Sequence, residues 1–287
     1  MSSAVLDVVE ITFARGFESC VSAMEAYNYA ARSSMLLARL LTVLAWVLGA
    51  GSLLAFGAFL WTEQLGGVDL GLTPRSALFW DGSLCLLFFA QHSILIRRPV
   101  RNSLRKAVPD HCFYLVYTYT SGIALSLLVV FWQHTAANLY AVYGLARWTL
   151  RIPLMLAFVG VLWGIGSLER FDAFGVDAYL NHLRQREGPT EHLAVKGPYR
   201  IVRHPFYAAG IVALWATPFL SVDRLLLNVL FTGWILLGAS LEERDLLAHF
   251  GEDYARYRES VPMFVPRLSR WRKKNEGAKA VSGSRAA

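Results

Sequence analysis

Gly197-Pro198-Tyr199-Arg200-Ile201-Val202-Arg203-His204-Pro205-Phe206-Tyr207-Ala208-Ala209-Gly210 is a basic, polar segment that runs straight into a membrane-grade apolar run. That run, 206–220, meets a second, 224–240, at the turn Ser221-Val222-Asp223-Arg224, and the acidic pair Glu242-Glu243 follows. Two short apolar runs joined so tightly predict a helical hairpin, or a re-entrant pair, with Pro218 just before the turn. The basic and acidic clusters then fall at the same side of a membrane. Opposite charges held there suit a water-soluble, charged small molecule bound beside lipid.

Working outward, the rest of the chain agrees with a bilayer. Of 287 residues 55% are hydrophobic and 17% charged, where a soluble domain carries about a quarter charged residues. Further runs of spanning length lie at 36–61, 76–96, 113–134 and 152–168. The expected fold is an all-α, polytopic integral membrane bundle of five to six spans, with the C-terminal hairpin beside a cytoplasmic cofactor cleft. With six crossings, 24 Lys and Arg fall in the inner segments and 4 in the outer ones. Inner loops hold this excess, so both termini are expected in the cytoplasm. The net charge of +7 is thereby a topology signal, and nucleic acid is not needed to explain it. Cys20, Cys85 and Cys112 have no metal-ligand or disulfide spacing, and no metal site is expected.

Four regions follow. Residues 1–35 read as a cytoplasmic extension of loosely amphipathic pattern, without the pattern of a cleavable leader. Residues 36–168 hold the N-terminal spans, and 169–266 the polar chemistry. Residues 267–287 read as a basic, disordered tail suited to anionic lipid. Arg200 and Arg203 are fork-shaped partners for a carboxylate, although either is equally an anchoring cation when taken alone. His204 precedes Pro205, a favoured first helical residue, and the free N–H groups after it favour an anion. Glu242 and Glu243 are costly beside a membrane unless paired or solvated. Tyr254 and Tyr257 share a helical face and suit packing over a ligand. Asp81, Gln91 and His92 are polar residues in an apolar run. Such residues are functional candidates, and His92 can orient or deprotonate an acceptor or simply bond a neighbouring helix.

Gly-Pro-Tyr-x-x-x-Arg-His-Pro-x-Tyr-x-x-Gly at 197–210, Glu-Glu-Arg-Asp-Leu at 242–246, Phe-Gly-x-x-Tyr-x-x-Tyr at 250–257 and Val-Pro-x-x-x-Pro at 261–266 together resemble the isoprenylcysteine carboxyl methyltransferase and phospholipid methyltransferase superfamily. Ala216-Thr217-Pro218, Gln91-His92-Ser93 and Phe171-Asp172-Ala173-Phe174-Gly175 are most similar to its bacterial methanethiol S-methyltransferase branch. The resemblance implies S-adenosylmethionine as cofactor, with Gly197, Tyr199, Arg203, His204, Pro205 and Tyr207 lining one side of its cleft. Glu242, Glu243 and Tyr254 would close the other side. It further implies His92, Arg203, His204 and Glu243 as catalytic residues, methanethiol as acceptor with dimethyl sulfide as product, and a bacterial inner membrane. Residues 176–196 are longer and more charged than the family pattern, which bears on the substrate. A prenylcysteine carboxylate or phospholipid amine is the alternative lipophilic acceptor. An NADPH-dependent membrane reductase and a non-catalytic accessory protein are the readings from other classes.

Overall fold

A bilayer core offers no partner to a bare peptide group, so apolar runs in it must become helices. The computed structural model describes residues 35–62, 67–168, 172–186, 193 and 195–267. The expected N-terminal extension before residue 35, the tail beyond 267 and Phe171 lie outside the described residues. Within them, five helices are long and apolar enough to cross: α1 Met35–Thr62, α2 Pro74–Leu95, α4 Asp110–Val130, α5 Leu145–Ser167 and α8 Val222–Phe250. Between them lie the short α3 Arg98–Leu104 and α6 Val176–Leu183, then α7 Pro205–Trp215 and, last, α9 Glu252–Ser260.

Local signals set the helix starts. Thr73 caps α2 through its side chain with Pro74 in the first turn, and Ser221 caps α8 in the same way. Phe59, Phe88, Phe89, Leu125, Leu128, Trp132, Leu227 and Phe231 knit α1, α2, α4 and α8 into the main core. Gln91 Nε2 donates to Thr120 Oγ1 at 2.8 Å, and Trp234 Nε1 to Ser93 Oγ at 2.9 Å. These bonds lock α2 to α4 and α8. The outer faces keep Leu54, Leu86, Leu156, Phe158 and Val159 exposed, a surface suited to lipid.

The hairpin differs from the expectation in its first arm. α7 has 11 residues, about 17 Å of helix, too short for a core of about 30 Å. The chain then turns at Thr217-Pro218, where Thr217 N donates to Trp215 O at 2.9 Å, and enters β2 Phe219–Ser221, so helix, turn and strand together make the return. Proline cannot continue the helix, and the freed peptide groups find partners elsewhere. β2 pairs antiparallel with β1 Asn138–Ala141, Tyr140 opposite Leu220, while Val142 N donates to Pro218 O at 2.9 Å. Among the described residues the bundle is helical apart from one two-stranded ribbon, at the end away from the glutamates. α8 has 29 residues, about 43 Å. It therefore runs on past Glu242 and Glu243, which the sequence alone placed at the end of the last apolar run.

Candidate active site

Gly197 opens a 3-10 turn, Gly197–Arg200, with φ at +52°, where a Cβ would run into the Ser167 side chain at the end of α5. Only glycine accepts that backbone at no cost, so Gly197 lets the turn tuck under α5. The chain then straightens and α7 starts at Pro205. Arg203 N and His204 N donate to Pro262 O at 2.9 Å and Met263 O at 3.2 Å. The segment after α9 is thereby pinned along the start of α7.

Arg203 ties these pieces together. Its Nε and Nη2 reach Glu243 Oε1 at 2.7 and 2.6 Å. Its Nη1 donates to the carbonyls of Arg258, at 2.9 Å, and Val261. With the two side chains 9% and 12% exposed, this is a nearly dry clamp joining the turn, α8 and the end of α9. His204 is buried, its Nε2 3.3 Å from Glu243 Oε1 and its Nδ1 3.9 Å from Glu242 Oε2. Its ring stacks on Tyr207 with centroids 5.4 Å apart.

Above the clamp lies a cavity of about 300 Å³ lined by Tyr199, Arg203, His204, Pro205, Phe206, Tyr207, Glu242, Leu246, Phe250, Tyr254 and Tyr257, with Leu168 and Leu193. Glu242 brings a carboxylate that is 45% exposed, and Tyr207 faces it. The Tyr254 hydroxyl is buried without a hydrogen-bond partner among the described residues, although the Arg203 guanidinium is close. Tyr257 Oη donates to Tyr199 O at 2.6 Å. Burial, with the Glu242 charge adding, pushes the Tyr199 phenol up to about 12. Burial and then Glu243 push Tyr254 to about 12. Both stay neutral donors at physiological pH.

Eight residues singled out in the sequence converge on this cavity: Tyr199, Arg203, His204, Pro205, Tyr207, Glu242, Tyr254 and Tyr257. Gly197 shapes the turn and Glu243 holds Arg203; neither lines the cavity. Arg203, expected to meet a carboxylate, has its guanidinium committed to Glu243 and two carbonyls. Arg200 is exposed, with Nε donating to Val195 O at 3.2 Å. His92 is absent from the lining; its Nε2 lies 2.7 Å from Tyr117 Oη on α4. Phe206, Leu246 and Phe250 lie inside the motifs at 197–210, 242–246 and 250–257, but were not picked out as lining residues because nothing in the sequence distinguishes their side chains from ordinary apolar packing. Tyr117 was missed for the same reason.

The chemistry of this donor set fits S-adenosylmethionine. It offers a solvated carboxylate for an ammonium or ribose, an unpartnered phenol, and aromatic faces for an adenine and a sulfonium, while the start of α7 at Pro205 favours an anionic group.

The profile of the family described as NnrU protein matches residues 83–263, from α2 to just past α9, and includes every cavity-lining residue. The chain belongs to the NnrU protein family. This NnrU-family chain is 36% identical over 204 residues to a methanethiol S-methyltransferase of a Pseudomonas species, covering 69% of this chain and 76% of that protein. Methanethiol S-methyltransferase 2 of Bradyrhizobium diazoefficiens is 32% identical over 203 residues, covering 70% of this chain and 78% of that protein. Nurim of Mus musculus is 30% identical over 185 residues, 60% of this chain and 68% of that protein. These relatives agree with the superfamily resemblance and with its methanethiol S-methyltransferase branch. No solved structure matches.

Proposed function

We propose that this protein is a membrane methyltransferase that moves the methyl group of S-adenosylmethionine to methanethiol, releasing dimethyl sulfide. The observation that carries it is the cavity between α7, α8 and α9, where Glu242, the unpartnered Tyr254 phenol and several aromatic faces meet at the end of an apolar bundle. Similarity to proteins named methanethiol S-methyltransferase supports the acceptor.

When bound, the cofactor supplies an electrophilic methyl on a sulfonium. Glu242 would take its ammonium or ribose hydroxyls, Tyr254 would donate to a polar group, and the positive end of α7 would face its carboxylate. Tyr207 and Phe250 would give aromatic faces to the cation and adenine. Arg203 and Glu243 hold these parts in register, and His204 braces both glutamates. His92 belongs to the acceptor side. The excess of basic residues at this end supports a cytoplasmic cleft with both termini inside, in a bacterial inner membrane.

The test is detergent-purified protein given methyl-labelled cofactor and methanethiol, with dimethyl sulfide measured in the headspace. No labelled product would sink the reading. Calorimetric binding of NADPH in place of S-adenosylhomocysteine would replace it with a reductase. A parallel mass-spectrometric screen of prenylcysteine and phospholipid acceptors tests the alternatives.

A further inference from the structure

Near Tyr207, a wall of the cavity, lies a polar pair that the donor site does not use. His92 Nε2 is 2.7 Å from Tyr117 Oη. The imidazole is enclosed by three aromatic rings, with centroids 5.4 Å away at Phe88, 5.0 Å at Tyr117 and 5.2 Å at Trp234. Its Nδ1 is buried without a hydrogen-bond partner among the described residues. Tyr117 is half-buried and close enough to Tyr207 to act on it electrostatically, and Tyr207 is itself a cavity wall facing Glu242. The bonds from Gln91 to Thr120 and from Trp234 to Ser93 hold α2, α4 and α8 in place around the pair.

A thiol is a poor nucleophile until it loses its proton, and a site among apolar helices needs a side chain to receive it. We propose that Tyr117 and His92 form the proton-accepting pair of the acceptor half-site, an inference that rests on the thiol methylation reading. The acceptor S–H proton passes to Tyr117 Oη while the Tyr117 proton passes to His92 Nε2. The S–H bond breaks, an O–H bond is exchanged and an N–H bond forms, leaving a thiolate and an imidazolium. The freed sulfur electron pair is the nucleophile. The Phe88 and Trp234 rings, with centroids 5.4 and 5.2 Å from the imidazole, offset part of the cost of its charge.

The test compares methanethiol with methaneselenol, a close isostere already ionised at neutral pH, in wild type, Tyr117→Phe and His92→Gln. S-Adenosylhomocysteine binding, measured by calorimetry, is expected to stay within about twofold, which also reports a folded protein. Turnover of methanethiol is expected to fall about 100-fold in each variant, the scale of one acid–base group, and that of methaneselenol only a few-fold. In the cofactor-free protein, 15N-histidine NMR is expected to show His92 Nε2 as an unprotonated acceptor, a signature lost in Tyr117→Phe. Equal losses with both acceptors, no loss, or a protonated Nε2 overturns the pair alone. Wild-type protein that binds the cofactor product but methylates neither acceptor overturns the thiol reading with it.

Discussion

Arg203 and Glu242 show how neighbouring polar residues divide the work. The sequence offers Arg203 as a free cation, but folding spends it on Glu243 and two carbonyls. Removing one partner of such a buried pair costs about 3–5 kcal/mol. Arg203→Ala is therefore expected to lower the melting temperature in detergent and abolish S-adenosylhomocysteine binding together. Glu242, 45% exposed, has no such structural debt. Glu242→Gln is expected to leave melting unchanged while weakening binding about tenfold, the scale of one charge-assisted hydrogen bond. Thermal shift and calorimetry on the same samples check both, and equal melting losses would refute the division. The tyrosines add a pH dependence. Tyr199 and Tyr254 keep their protons in the folded state to about 12, whereas an unfolded tyrosine loses its proton near 10. Their contribution to stability is complete below about pH 10 and lost as pH rises toward 12. Melting temperature is expected to fall steeply across that window, and less steeply in the Tyr199→Phe, Tyr254→Phe double variant.

At the scale of elements, the site depends on how closely α7 lies against α5. A Cβ on Gly164 would meet Phe206 Cε1 at 2.6 Å, so this glycine lets a cavity-lining ring sit against α5. Gly164→Val is expected to push Phe206 into the cavity and weaken S-adenosylhomocysteine binding about tenfold or more, while the protein still inserts and purifies; overpacking typically costs about 1–3 kcal/mol. Unchanged affinity by calorimetry would show that α7 can shift freely. The long elements were legible in the sequence, since uninterrupted apolar runs leave a chain in lipid little choice but helix. α7 was overextended because its apolar run continues through Phe219 and Leu220, and composition does not register that Thr217-Pro218 turns it into a strand. β2 forms only because β1, far away in sequence, presents an edge to pair with.

On the scale of the whole molecule, α8 joins the two ends of the bundle. Its Asp223 end sits with the β-ribbon, and its Glu242 end with the cavity, about 30 Å away along the helix. Single cysteines at Tyr143, which is 72% exposed, and at Glu252, 95% exposed, are expected to react with an impermeant maleimide from opposite sides. Glu252→Cys should label above the parent protein only in inside-out vesicles, and labelling of both from one side would refute the orientation. The sequence by itself determined the membrane class, the spans, the charge asymmetry and the residues of the basic and acidic clusters, because hydropathy and charge act locally and add along the chain. It also marked eight of the residues that meet in the cavity. Tertiary structure alone decided which charges are free. Arg203 and Glu243 neutralise each other only because α9 and the Val261-Pro262-Met263 segment fold back over α7. Likewise, Tyr117 becomes a partner for His92 only once α2 and α4 pack. Contacts of this kind depend on which faces meet in space, and no local pattern in the chain carries that information.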